Sequence, residues 1–259
     1  MSLLSWILLF CLLGGVLSVL AAAAFLVLPA SWREQLLPHF ISFAIGALLG
    51  TAFLALLPHA VADAGTEAVH DVLFVVLLGV LAFFLLEKSV LWRHCHAGEC
   101  EAHLPAGSRG GRAAGTLILV GDGLHNFVDG VLIAGAFITD LHLGIVTAVA
   151  VAAHEIPQEV GDFAVLLNSG FSRRRAFVYN MISSLTTIFG GLLAYYGLAD
   201  ARQVLPYVLA VAAASFIYIA VADLIPGLHE RLEPAVTAQQ LALIAAGVGV
   251  IYISHATLH

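Results

Sequence analysis

Charge is scarce in this chain. Only 10% of its 259 residues are Asp, Glu, Lys or Arg, against about 25% in soluble globular domains. That shortage, with 61% hydrophobic residues, excludes an ordinary soluble domain. The 10 Lys and Arg residues form no basic patch, which excludes a nucleic-acid partner. The net charge of −7 says little, because placement of charge outweighs its sum in a membrane. Cysteine is scarce too, with 3 residues. Cys11 lies in an apolar run and reads as a small hydrophobe. Cys95 and Cys100 share a His-bearing segment, which reads as metal binding rather than as a disulfide. The N-terminal run 2–28 has no positive n-region and is too long for a signal-peptide core, so it reads as a span.

What the chain has in quantity is long apolar runs. A span needs about 20 such residues, and the runs near 3–28, 36–62, 70–92, 114–138, 142–168, 174–197, 203–227 and 237–257 predict eight transmembrane helices. The joints carry breakers or charge, such as Pro29, Gly170 and Pro234. Arg33, Lys88, Arg93, Arg109, Arg112, Arg173, Arg174, Arg175 and Arg231 all fall at one set of helix ends, and Arg202 falls at the other. The positive-inside rule then puts both termini outside the cytoplasm. Adding or losing one span would destroy this asymmetry. The chain 1–259 thus reads as a single all-α integral membrane domain, with one polar cytoplasmic loop at about 93–113. That loop carries His94, Cys95, His96, Glu99, Cys100, Glu101 and His103, a set that suits metal binding of a regulatory kind. Short loops and a short N-terminus predict a compact bacterial form in the cytoplasmic membrane.

Two polar clusters interrupt the apolar runs. In the fourth span Asp122, His125, Asn126 and Asp129 are spaced i, i+3, i+4 and i+7, one helical face. In the fifth, His154, Glu155, Gln158, Glu159 and Asp162 form a second stripe. Pro157 sits within it and frees the Ala153 carbonyl as a further oxygen donor. Ionisable groups cost roughly 2.5–3.5 kcal/mol each at the bilayer centre on insertion scales. Two facing stripes of them imply an ion site or a polar path. Imidazole with carboxylate and amide favours Zn²⁺, Fe²⁺, Mn²⁺ or Cd²⁺. Calcium and magnesium want all-oxygen sites, and copper(I) wants more sulfur than the spans offer. The expected partners are therefore divalent metal ions, zinc first, and the lipid bilayer, with a homodimer as a further expectation.

The motifs His125-Asn126-Phe127-Val128-Asp129-Gly130 and His154 through Asp162 resemble HNFxDG and HExPxExGD, a pair found in one subgroup of the ZIP family of zinc and iron transporters. The resemblance covers the whole chain. It includes Leu56-Leu57-Pro58-His59-Ala60 at the end of the second span and Asp223-Leu224-Ile225-Pro226, with His229-Glu230, near the end of the seventh. It implies eight helices, helices 4 and 5 forming the metal-binding core, and transport of divalent metal into the cytoplasm as one helix bundle rocks or slides against another. It further implies two adjacent metal positions, one with His125, Asp129, His154 and Gln158, the other with Asn126, Asp129, Glu155 and Gln158. The subgroup usually has His where this chain has Gln158, and an amide is a weaker zinc ligand than imidazole. Glu159 is implied as a base that orients a ligand, with Asn180 or Ser184 of the sixth span as further contributors. The stretch 51–57 lacks the ligand that relatives often carry there, so entry would depend more on His154.

Two rival readings remain. An intramembrane zinc metalloprotease would use H-E-x-x-H, but Gln158 stands in the second His position. A carrier whose acids relay protons without metal is the other, and it is distinguished by whether metal binds at all.

Overall fold

The computed structural model describes residues 2–94, 109–198, 201–229 and 233–258. The regular elements among the described residues are all helical. Cys95, His96, Glu99, Cys100, Glu101 and His103 lie outside those residues.

The first span is two helices, α1 (Leu3–Gly14) and α2 (Val16–Val27), jointed at Gly15. A side chain there would press on the Ser184 carbonyl oxygen at 2.7 Å, so glycine permits a close crossing. The second span begins earlier than hydropathy suggests. It runs as α3 (Ala30–Thr51), a π-helical turn (Ala52–Leu56) and α4 (Leu57–Ala64). A 3-10 turn then leads into α5 (Val69–His94). The core rods follow as α6 (Arg109–Thr139), α7 (Leu141–Asn168) and α8 (Arg173–Leu198). Next come α9 (Leu205–Tyr218), a second π-helical segment (Ile219–Leu224), α10 (Ile225–Leu228) and α11 (Pro234–Leu258). Both wide turns precede a proline, Pro58 and Pro226. Proline offers no N–H and its ring crowds the carbonyl four residues back, so the upstream turn widens.

The joints around α7 are set by local chemistry. The Asp140 carboxylate accepts from the backbone N–H groups of His142 and Leu143 at 2.8 and 2.9 Å, a strong N-cap. At the far end Gly170 takes φ +85. The N–H groups of Gly170 and Phe171 return to the Leu167 and Leu166 carbonyls, the usual glycine stop.

Among the described residues, seven helical rods are long and apolar enough to cross a membrane, with mean hydropathy from 1.2 to 2.6. α7 has 28 residues, about 42 Å at the helical rise, but its own polar stripe keeps it outside that seven. Packing divides the rods into two groups. α6 lies closely on α8, with α7, α1 and α2 against them, while α3 pairs with α11 and α9 with α5 and α4. The two groups meet mainly where α7 touches α3. α5 turns Leu73, Phe74, Leu77, Leu78, Leu81 and Leu85 outward, the inverse of a soluble surface.

Candidate metal centre

Helical spacing puts His125 and Asp129 of α6 on one side, one turn apart. α7 brings His154 and Glu155 to meet them. One donor atom from each of the four lies within 4.8 Å of every other. The two imidazole Nε2 atoms are 3.2 Å apart. His125 Nε2 is 3.2 Å from a Glu155 oxygen and 3.7 Å from an Asp129 oxygen. His154 Nε2 is 3.3 Å from Asp129 and 3.6 Å from Glu155. A tetrahedral ion with bonds of about 2.0–2.2 Å has ligand–ligand edges of roughly 3.3–3.6 Å. The group thus has the size of a first coordination shell.

Its electrostatics agree. Asp129 and Glu155 are fully buried, and none of their four carboxylate oxygens has a hydrogen-bond partner. Buried acceptors left unpaired are expensive, and one bound cation would satisfy both carboxylates at once. The His154 Nδ1 lies 3.1 Å from the Ala150 carbonyl. A carbonyl can only accept, so Nδ1 carries the hydrogen and Nε2 of the neutral ring turns a lone pair to the site. Such a bond behind an imidazole fixes its tautomer for metal binding.

The other expected residues occupy the surroundings. Asn126 donates to the backbone and side-chain oxygens of Asp122 at 3.2 and 2.9 Å and accepts from the Thr187 hydroxyl at 2.8 Å. Asp122 in turn accepts from the Ser183 hydroxyl. Glu159 accepts from Ser184 at 2.8 Å through one oxygen, while its other oxygen has no partner. The buried amide of Asn180 is likewise without a partner. Gln158 is half-buried beside His125 in a cavity wall. Sequence reasoning missed Thr187, which locks Asn126, and Phe216, whose ring lies 6.1 Å from that of His154. Nothing in their local sequence marks either one. Only the crossings of α8 and α9 over the core bring them in.

The cavity has a volume of about 420 Å³ and reaches His125 past Gln158, Asp122, Asp162 and Asp223. Its outer walls, Ile41, Leu86 and Ile118, lie near the helix ends that carry Arg33, Lys88 and Arg109. A separate cavity of about 500 Å³ sits at the opposite ends, lined by Asp63, Thr139, Gln203 and Tyr207. Along the chain, buried Leu56, Leu132, Val146, Leu209 and Phe216 fall between it and the four donors.

A buried cluster of four donors with the spacing to hold a cation, inside a bundle of membrane-length helices, fits a membrane carrier of divalent metal. Comparison with known proteins specifies which kind. The family model described as ZIP Zinc transporter matches residues 93–255. The human zinc transporter ZIP13 is 32% identical over 270 residues, covering 86% of this chain and 71% of that protein. The zinc transporter zipt-7.2 of Caenorhabditis elegans is 30% identical, over 84% of this chain and 58% of its own length. Human ZIP10 is 37% identical over 139 residues, only 17% of its length. The chain belongs to the ZIP zinc transporter family. It is accordingly an all-α, multi-pass membrane transporter of divalent metal cations and not an enzyme. The protease reading finds no support.

Proposed function

We propose that the chain carries zinc into the cytoplasm through the centre formed by His125, Asp129, His154 and Glu155. The observation that carries this reading is the set of two imidazoles and two unpartnered buried carboxylates at coordination-shell spacing. Nitrogen and oxygen donors in equal number suit Zn²⁺, and they also admit Cd²⁺, Fe²⁺ and Mn²⁺. The relatives are named as zinc transporters, and the family match over residues 93–255 spans both motifs.

In the proposed topology α7 is the fifth span and brings the total to eight, both termini are outside, and the Arg-bearing helix ends face the cytoplasm. The cavity beside His125 is then the inner exit, and the buried apolar layer around Leu209 and Phe216 closes the outer side. The short loops support placement in a bacterial cytoplasmic membrane, although the relatives reported above are eukaryotic. The exposed face of α5 is where lipid, and a second copy in a homodimer, would pack. Hydrated metal enters from outside and exchanges water for His154 and His125. It leaves past Gln158, Asp122 and Asp162, whose oxygens take over from the nitrogen donors. Passage requires that each stop hold the ion firmly enough to admit it and loosely enough to release it. The group α1, α2, α6, α7 and α8 moves against the rest to present the site to each side in turn, as in other alternating-access carriers.

Radiolabelled Zn²⁺ flux into proteoliposomes tests the reading. Uptake is expected to saturate and to be competed by Cd²⁺, and absence of flux in sealed, protein-containing vesicles overturns it. Gln158→His supplies a third imidazole, one turn beyond His154. It is expected to tighten zinc binding by about tenfold, read by isothermal titration. An unchanged affinity removes Gln158 from the metal path.

A further inference from the structure

A third cavity of about 450 Å³ opens on the flank of the bundle at the Arg-bearing helix ends. Leu26 of α2, Phe163 and Leu167 of α7 and Phe177 of α8 line its apolar part, and Arg33 of α3 and Arg173 of α8 line its polar part. Phe163 and Phe177 pack ring to ring, with centroids 6.4 Å apart. Among the described residues neither guanidinium pairs with a carboxylate. The Arg33 Nε is buried and has no hydrogen-bond partner. A buried guanidinium nitrogen without an acceptor is costly, and two guanidiniums without carboxylate partners at one cavity offer donors that suit phosphate oxygens. The apolar remainder of the cavity has no use for a free phosphate ion, because it needs hydrocarbon to cover it.

We propose that this cavity binds an anionic phospholipid. Arg33 and Arg173 hold the phosphate, and one acyl chain lies on Leu26, Phe163, Leu167 and Phe177. The location fits, since these helix ends meet the leaflet surface, where basic side chains attract anionic headgroups. Arg33 belongs to the helix group of α3, and the other five residues belong to the group of α6 to α8. A bound lipid therefore ties the two groups together at one end. The site stands apart from the four metal donors and does not depend on zinc being the cargo.

Native mass spectrometry of the detergent-purified protein tests this, with phosphatidylglycerol or phosphatidylcholine added in the absence of metal. Wild type is expected to retain phosphatidylglycerol and not phosphatidylcholine. The double variant Arg33→Gln/Arg173→Gln is expected to lose roughly 30-fold in affinity for it, two basic contacts' worth. Arg174→Gln, exposed and outside the cavity walls, is expected to bind as wild type. Excess inorganic phosphate is expected to leave the lipid in place. Equal retention by the double variant, equal retention of phosphatidylcholine, or displacement by inorganic phosphate each overturns the proposal. A monodisperse double variant that still binds zinc shows that the loss is local. Because the lipid is read without metal, failure here and failure of the transport reading are separate results.

Discussion

Asp129→Ala is expected to abolish zinc uptake, by about 100-fold or more, while the protein still reaches the membrane. Losing a group that only supports a ligand already costs 10–100-fold in such sites, and Asp129 is proposed as a ligand itself. Its carboxylate lies 3.3 Å from His154 Nε2 and 3.7 Å from His125 Nε2. It supplies one of two negative charges that offset the ion's own. Stability should move differently. In the metal-free protein both Asp129 oxygens are buried and unpartnered, so the native state carries a desolvation penalty that alanine removes. The metal-free variant should melt no lower than wild type, and the rise in melting temperature that zinc gives wild type should vanish. Uptake at the wild-type rate by a correctly inserted Asp129→Ala protein rejects the site. A variant that simply fails to accumulate would contradict the stability argument instead.

The second large effect concerns packing. Gly130 of α6 lies against the backbone of α8, where any Cβ would overlap the Thr187 carbonyl oxygen. Gly190 of α8 returns the contact against the Phe127 carbonyl. Small residues let helix backbones meet at this distance within a membrane. Gly130→Leu is therefore expected to destabilise the fold by about 3 kcal/mol or more, enough to empty the membrane fraction of folded protein. Gly249→Ala on α11 is the comparison, because nothing lies within 4 Å of its added carbon. It should accumulate and melt at least as well as wild type, since alanine favours a helix over glycine. Fluorescence-detected size exclusion of both variants reads the outcome. A monodisperse Gly130→Leu protein with normal melting would mean that α6 and α8 can part without loss.

This crossing is also why Asn126 and Glu159 sit where they do. With α8 so close, Thr187 and Ser184 reach them, and both side chains are held by hydrogen bonds. The stripe spacing in the sequence gathers His125 with Asp129 and His154 with Glu155, and the structure places the four together, because residues one turn apart or adjacent on a helix cannot avoid sharing a region. It cannot divide a broad polar stripe between two neighbours. Which members turn to the ion and which to α8 depends on helix rotation, and that is set by the packing of all the rods. The same limit applies to α1 and α2. Hydropathy reads them as one run, and the break at Gly15 appears only because α8 presses there. Helix ends ran past the expected limits at Ala30 and Arg109, since a helix continues through polar residues once water is available to them.

From its amino acids alone this chain was bound to be membrane-embedded and all-helical, with an ion site or a polar path in its core. Apolar runs of that length have no other stable home, and imidazoles and acids at one-turn spacing inside them have few other uses. What only the tertiary structure decided is the site's shape: four donors at the edge lengths of a coordination shell, an open cavity on one side and an apolar layer on the other. Those distances arise between two consecutive helices, α6 and α7, whose rotation and approach are fixed by close packing against the other rods and not by local preference.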